Sequence, residues 1–159
     1  MVMAGVGACL ALAVHLTLLR THALDGGTGW VLLALCLTWG GDVGGYLVGR
    51  QWGRRRLAAR ISPGKTVAGA WASLCTGVFL AFLLRSAGVL AIDVVPLLLL
   101  AVPGQILAQL GDLGESAFKR AHGAKDSSAL FPGQGGMLDV LDGLFLVAPW
   151  LYHASSVVS

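Results

Sequence analysis

Carboxylates within or at the ends of apolar runs are the residues best suited to chemistry in this chain. They stand at three places: Asp42, the pair Asp112 and Glu115, and the pair Asp139 and Asp142. A charged side chain is costly inside a membrane, so each is expected to face a polar cavity or a partner. Because the members of each pair are three residues apart, they share one face of a helix.

Hard oxygen ligands of this kind suit Mg²⁺, which commonly binds one or two carboxylates together with substrate phosphates. Features that favour anions border them. The glycines of residues 132–136 free backbone N–H groups to approach anions. Ser62, Lys65 and Thr66 offer two hydroxyls and an ammonium just before a predicted helix. This combination predicts a metal–polyphosphate site at the membrane surface.

Each carboxylate also has a structural explanation that the sequence leaves open. The glycines around Asp42 recur at four-residue spacing, which suits a tightly packed helix pair. Glu115 can pair with Lys119 at a helix end whose long side chains reach the interface. The helix dipole favours an acidic residue at a helix N-terminus, which would explain one of the last two aspartates. Isolated cysteines and histidines without ligand spacing predict neither a zinc site nor disulfides.

The elements that position these side chains are expected to be membrane helices. The chain is 56% hydrophobic and 12% charged, whereas soluble domains carry about a quarter charged residues. In lipid, helices satisfy their own backbone hydrogen bonds. The sequence predicts an all-α, polytopic bundle forming one membrane domain over residues 1–159. Its five helices are predicted at Val2–Leu19, Trp30–Gly49, Thr66–Leu84, Gly88–Leu110 and Met137–Tyr152.

The basic residues predict the orientation of the bundle. Six of the eleven Lys and Arg residues lie from Arg50 to Lys65, and three more are Lys119, Arg120 and Lys125. The positive-inside rule places both basic loops in the cytoplasm, with the amino terminus inside and the carboxy terminus outside. The lipid bilayer is therefore the expected surrounding. Nucleic acid is not an expected partner, because no soluble basic patch interleaved with aromatic residues is present.

Residues 116–142 resemble the signature of the phosphatidate cytidylyltransferase family. That signature reads Ser-x-x-Lys-Arg, four residues, Lys-Asp, and later Pro-Gly-His-Gly-Gly-x-x-Asp-Arg-x-Asp. Upstream, residues 41–50 resemble the family's Asp-Thr-Gly-Ala-Tyr segment, and residues 61–69 resemble its Ser-Pro-Lys-Lys-Thr-x-x-Gly loop. The three blocks occur in the family's order, so the resemblance covers about residues 39–152, the predicted catalytic part.

The resemblance implies that CTP and phosphatidate react to give CDP-diacylglycerol and pyrophosphate at the cytoplasmic face of the inner membrane. It implies Mg²⁺ bound by Asp112 and Asp139, and it leaves open K⁺ as a second cation. The expected catalytic residues are these two aspartates with Lys119 and Asp142.

Further residues in the matching blocks are expected to bind substrate. Cationic side chains there would contact the phosphates of CTP or of the lipid. Asp42 would order the site or bind cation or nucleotide. The full predicted substrate-binding set is Ser62, Lys65, Arg120, Lys125, Asp126 and Asp42.

The chain departs from the family's pattern in three respects. Gln134 stands where the family has His, and glutamine cannot take up a proton near neutral pH. Val140 stands where the family has Arg, which removes a bidentate phosphate partner. Family members carry extra amino-terminal helices, so a short or partial member is expected.

Two alternatives stay open. A related CTP-dependent enzyme acting on another lipid phosphate or alcohol would have similar basic loops and metal-binding carboxylates. An inactive membrane homologue is the alternative that these departures favour. The sequence also leaves open whether the bundle forms a homodimer.

Overall fold

The computed structural model describes residues 2–22, 27–121 and 140–158, and it confirms an all-α bundle. In chain order the helices are α1 (Val2–His22), α2 (Gly27–Leu35), α3 (Gly41–Trp52), α4 (Val67–Ser86), α5 (Val94–Ala121) and α6 (Leu144–Val158). A π-helical turn at Cys36–Gly40 joins α2 to α3, so that these form one continuous helix, Gly27–Trp52.

Among the described residues, three helices are long and apolar enough to cross a membrane: Gly27–Trp52, α4 and α5. Their apolar side chains face both inward and outward. Leucines such as Leu33, Leu97 and Leu100 are buried, whereas Phe79 and Leu99 on the outer faces remain exposed. A helix that is apolar all round is expected where lipid, and not water, surrounds the bundle.

Glycines let α3 and α4 pack backbone against backbone. A Cβ added to Gly69 would lie 2.7 Å from the carbonyl oxygen of Gly45, and one added to Gly45 would lie 3.0 Å from the carbonyl oxygen of Gly69. Small residues at such contacts permit the close approach that lipid-embedded helices need. This contact fixes where the start of α3, with Asp42, lies relative to α4.

The segment between α3 and α4 forms a small antiparallel β-hairpin, which the sequence did not predict. Strand β1 (Arg56–Ala58) pairs with strand β2 (Ser62–Thr66), with an irregular register between Arg56 and Ala58. Thr66 ends the hairpin and caps α4, since its hydroxyl oxygen accepts a hydrogen bond from the Gly69 N–H at 3.1 Å. The cap fixes the position of the preceding residue, Lys65.

The five predicted helices are present with shifted bounds. The largest extension is in α5, which continues to Ala121. The acidic and basic residues near its end are therefore helical, as predicted. The last helix begins at Leu144, later than predicted. Asp142 and Gly143 form a turn before it. The expectation that Asp139 and Asp142 point the same way stays a prediction. Asp139 itself lies outside the described residues.

Candidate functional site

A cavity of about 570 Å³ opens between α3, α4, α5 and the hairpin. The carboxylate-bearing residues Asp42 from α3 and Asp112 from α5 face it, and the hairpin contributes Lys65. The rest of the lining is mainly small or polar: Gly45, Tyr46, Gly49, Leu57, Gly64, Thr66, Gly69, Ala70, Ser73 and Gln109. The cavity therefore brings opposite charges from three separate elements to one polar surface.

Lys65 and Asp112 form an ion pair in this cavity, Nζ to Oδ2. Both side chains are about one quarter exposed, so the pair is accessible to a ligand while partly shielded from water. The hairpin delivers Lys65 because Thr66, the next residue, is held as the cap of α4. Sequence reasoning predicted both residues, and the structure places them together.

Asp142 approaches the same carboxylates from the turn before α6. Its Oδ1 accepts a hydrogen bond from the Gly143 N–H at 2.5 Å. Its backbone carbonyl oxygen lies 2.7 Å from the position of a Cβ on Gly111, next to Asp112. Burial, followed by the negative charge of Asp112, raises the pKa of Asp142 to about 8. Carboxyl groups are therefore concentrated where α5, α3 and this turn meet, and this one is mostly protonated near neutral pH.

Two predicted cationic residues lie beside the cavity and do not line it. Lys119 pairs with Glu115 on α5, Nζ to Oε2 at 3.1 Å, as the structural explanation anticipated. The Nε–H of Arg120 donates to the carbonyl oxygen of Ile61 at 3.5 Å and so ties the end of α5 to the hairpin. Ser62 begins β2 and is absent from the cavity lining. Direct substrate contact by these three residues stays a prediction.

Three other predicted site residues, Asp139, Lys125 and Asp126, lie outside the described residues, as does Gln134. Their predicted roles are neither supported nor opposed by the geometry.

Sequence reasoning missed Ser73, Gln105 and Gln109, polar side chains buried or half-buried in apolar helices. Gln109 lines the cavity, and its Nε2–H donates to the carbonyl oxygen of Ala70 at 3.2 Å. Gln105 is fully buried one turn before it. The spacing of Gln105, Gln109 and Asp112 by four and three residues was the available signal, because it places all three on one face of α5.

The residues present partly fit a divalent cation. Asp42 and Asp112 supply hard oxygen donors to one cavity, and the ammonium of Lys65 already lies against Asp112 there, so that carboxylate accommodates positive charge. Within residues 2–22, 27–121 and 140–158, however, no three acidic, His or Cys side chains converge in a metal-binding group. A metal would need further oxygen ligands from substrate phosphates, water or residues beyond those described.

Known proteins resemble this chain over nearly all of its length. A sequence model of the cytidylyltransferase family matches residues 1–158. The phosphatidate cytidylyltransferase of Bacillus subtilis (strain 168) is 34% identical over 154 residues, which are 97% of this chain and 56% of that protein. The protein of the same name from Haemophilus influenzae is 40% identical over 137 residues, 84% of this chain and 48% of that protein.

A third relative, the phosphatidate cytidylyltransferase of Brucella suis biovar 1, is 42% identical over 144 residues, 88% of this chain and 51% of that protein. The chain thus spans about half the length of the curated relatives that it matches.

Proposed function

The chain belongs to the cytidylyltransferase family, and from this premise we propose that it takes part in cytidylyl transfer from CTP to phosphatidate. Three relatives at 34–42% identity are named phosphatidate cytidylyltransferases. The observation that carries the proposal is the cavity in which Asp42, Lys65 and Asp112 meet. A site for a triphosphate and a lipid phosphate needs both cationic side chains and metal-binding carboxylates, and this cavity has both.

The reaction needs no covalent protein nucleophile. A phosphate oxygen of phosphatidate attacks the α-phosphorus of CTP and forms a new phosphoanhydride bond. The bond from the α-phosphorus to the bridging oxygen of the β-phosphate breaks, and pyrophosphate leaves with the electron pair. Lys65 is placed to neutralise phosphate charge as it shifts towards the leaving group. Cytidylyl transfer therefore depends mainly on positioning and electrostatic stabilisation.

We propose Mg²⁺ as the cofactor, bound by Asp112 and, from the family signature, Asp139. When bound, Mg²⁺ neutralises the triphosphate and orients it for in-line displacement. Asp112 must then exchange its ion pair with Lys65 for the metal, which would free the Lys65 ammonium to contact a phosphate. Asp142 adds a carboxyl group to the same region, and a bound cation would favour its ionised form over the neutral form that its raised pKa favours. A second cation, K⁺, would find the same concentration of carboxylates.

The bilayer is the proposed surrounding, with the cavity facing the cytoplasm. The hairpin and the end of α5 lie at the same end of the bundle, as the contact between Arg120 and Ile61 requires. Both carry the chain's clustered cations, and the positive-inside rule assigns such an end to the cytoplasm. The inner membrane is the proposed location, because CTP is available on its cytoplasmic side. A homodimer stays a prediction that light scattering in detergent would test.

The proposal is tested with the purified chain in liposomes supplied with labelled CTP, phosphatidate and Mg²⁺. Formation of CDP-lipid together with an equal amount of pyrophosphate is expected. A parallel reaction with an isoprenoid phosphate in place of phosphatidate separates this activity from that of a related lipid cytidylyltransferase. Absence of product with either lipid from folded protein would overturn the proposal.

A further inference from the structure

Gln105 is a fully buried polar side chain in the middle of an apolar helix. Its amide group lies between two glycines of neighbouring helices. A Cβ on Gly77 of α4 would lie 2.0 Å from Oε1, and a Cβ on Gly41 of α3 would lie 2.3 Å from Nε2. Any side chain at either glycine would displace the amide. The packing of three helices therefore leaves a space that this side chain fills.

The amide makes one hydrogen bond within the described part of the chain. Its Nε2–H donates to the Ser73 hydroxyl oxygen at 2.8 Å, whereas Oε1 has no hydrogen-bond partner among the described residues. A buried carbonyl oxygen without a partner is costly in a low-dielectric interior. An apolar side chain of the same size would fill this space without an unpaired oxygen. Packing alone therefore does not explain the amide, and its hydrogen bond to Ser73 suggests a second role.

Ser73 is 4% exposed, and it lines the same cavity as Asp42, Lys65 and Asp112. It lies six residues into α4 from Val67, about 9 Å along the helix axis. Lys65, by contrast, precedes the helix. Ser73 is therefore at the inner part of the cavity, deeper in the bundle than the ion pair.

The hydroxyl of Ser73 is arranged differently from most helical hydroxyls in this structure. Helical serine and threonine hydroxyls commonly donate to a carbonyl one turn back. Several do so here: Thr17, Thr21, Thr38, Ser86, Ser155 and Ser156. Ser73 makes no such bond with a described residue, and its oxygen accepts from Gln105 instead. A hydroxyl has one hydrogen to donate, and the one on Ser73 has no described acceptor.

We propose that Ser73 is a substrate-binding residue whose O–H donates to a phosphate oxygen at the inner part of the cavity, and that Gln105 is the positioning residue that orients it. The Gln105 N–H occupies one lone pair of the serine oxygen, so the hydroxyl hydrogen is available for donation to a phosphate oxygen in the cavity. The acceptor is a phosphate oxygen of either the nucleotide or the lipid headgroup. This assignment deepens the proposed function and rests on it.

Kinetics of Ser73→Ala, Gln105→Met and the double variant test the assignment. Loss of one hydrogen bond to a charged oxygen is expected to raise the KM of one substrate by about 10-fold or more. The rise falls on CTP if the nucleotide is bound and on phosphatidate if the lipid is bound. Gln105→Met keeps the size of the side chain but removes the donor, so it should raise the same KM.

The double variant is the decisive arm. If Gln105 acts through Ser73, the double variant should be no worse than Ser73→Ala alone, because the two changes remove the same interaction. Losses that multiply would show that Gln105 acts by another route, and an unchanged KM in Ser73→Ala would overturn the assignment. Ser86→Ala, at the far end of α4, is the matched control and should leave both KM values unchanged. Gln105→Leu replaces Gln105→Met should that variant fail to fold.

Binding of CTP and of inorganic pyrophosphate to the full chain in detergent, by calorimetry, separates this assignment from the proposed function. If wild type transfers no cytidylyl group but binds pyrophosphate more tightly than Ser73→Ala does, the proposed function is overturned. The assignment of Ser73 as a phosphate-binding residue then stands. If wild type is active and Ser73→Ala has unchanged KM values and phosphate affinity, the proposed function stands and the assignment of Ser73 is overturned. Failure of wild type to bind either phosphate compound would overturn both.

Discussion

The ion pair between Lys65 and Asp112 joins the hairpin to α5 beside the cavity. Lys65 lies in one of the three blocks in which this sequence resembles the phosphatidate cytidylyltransferases, and Asp112 lies four residues before another. From the sequence, each residue could also be explained without a site, Lys65 as a basic residue of a cytoplasmic loop and Asp112 as an acidic residue near a helix end. Their contact across 47 positions of chain favours a shared site, because neither residue needs the other for its own helix or strand.

Replacing Lys65 with Met should raise the KM for CTP by about 10-fold or more, since a charge-assisted contact to phosphate is lost. Initial rates over a range of CTP concentrations measure this. Arg60→Gln is the matched control, because Arg60 is an exposed cation of the same hairpin loop that does not line the cavity. Equal effects of the two substitutions would show that Lys65 acts only through the general positive charge of the loop.

Asp142→Asn should stabilise the metal-free protein in a pH-dependent way. The pKa of Asp142 is about 8 in the folded chain and about 4 in an unfolded one. Between these values the unfolded chain binds fewer protons at this residue, so wild-type stability falls as pH rises. The thermal unfolding midpoint of the variant should exceed that of wild type by a margin that grows from pH 4 to pH 8. A margin constant with pH would contradict the burial of this carboxyl.

At the scale of elements, the cavity exists because α3 and α4 approach closely and the hairpin folds against α5. The glycine spacing around Asp42 predicted a close helix pair, and the structure confirms it through Gly45 and Gly69. The hairpin could not be predicted, since residues 56–66 lack a clear alternation of apolar and polar residues. The cap at Thr66, a local hydrogen bond at the start of α4, shows why Lys65 has a fixed place.

Gly69→Ala should lower the thermal unfolding midpoint and the activity together. Its Cβ would lie 2.7 Å from a backbone oxygen of α3, so the two helices must separate and the cavity must change shape. Gly114→Ala on α5 is the control, because a Cβ there meets no atom of the described residues within 4 Å and alanine favours helix by about 1 kcal/mol. Thermal unfolding of both variants in detergent gives the comparison. A Gly69→Ala protein as stable as Gly114→Ala would refute the close contact.

At the scale of the whole molecule, the apolar runs predicted the helices and their order, because a chain with few charges and long apolar segments has few other ways to satisfy its backbone. Bounds and buried polar contacts were harder to predict. The spacing of Gln105 and Gln109 shows only that they share a helix face, and the glycines that face Gln105 from α3 and α4 show its role in packing. Such contacts depend on which helices are neighbours, and spacing along one chain does not specify that.

The orientation of the bundle can be tested by labelling cysteines at the two ends of α4 with a membrane-impermeant maleimide. The background for both variants is a chain in which Cys9, Cys36 and Cys75 are replaced by alanine. Arg60→Cys in the hairpin should react in inside-out vesicles and stay unreactive in right-side-out vesicles. Ser86→Cys, at the other end, should show the reverse. If Arg60→Cys reacts only from the outside, the cavity opens away from the cytoplasm and CTP could not reach it.

The most direct test of cytidylyl transfer compares wild type with Asp112→Asn in liposomes that contain phosphatidate, labelled CTP and Mg²⁺. Asparagine keeps the size of the side chain but lacks the charge that binds a metal and pairs with Lys65. Wild type should form CDP-lipid and pyrophosphate in equal amounts, and Asp112→Asn should be at least about 100-fold slower with an unchanged unfolding midpoint. Equal rates in the two proteins would contradict the proposed site. No product from folded wild type would contradict the activity itself.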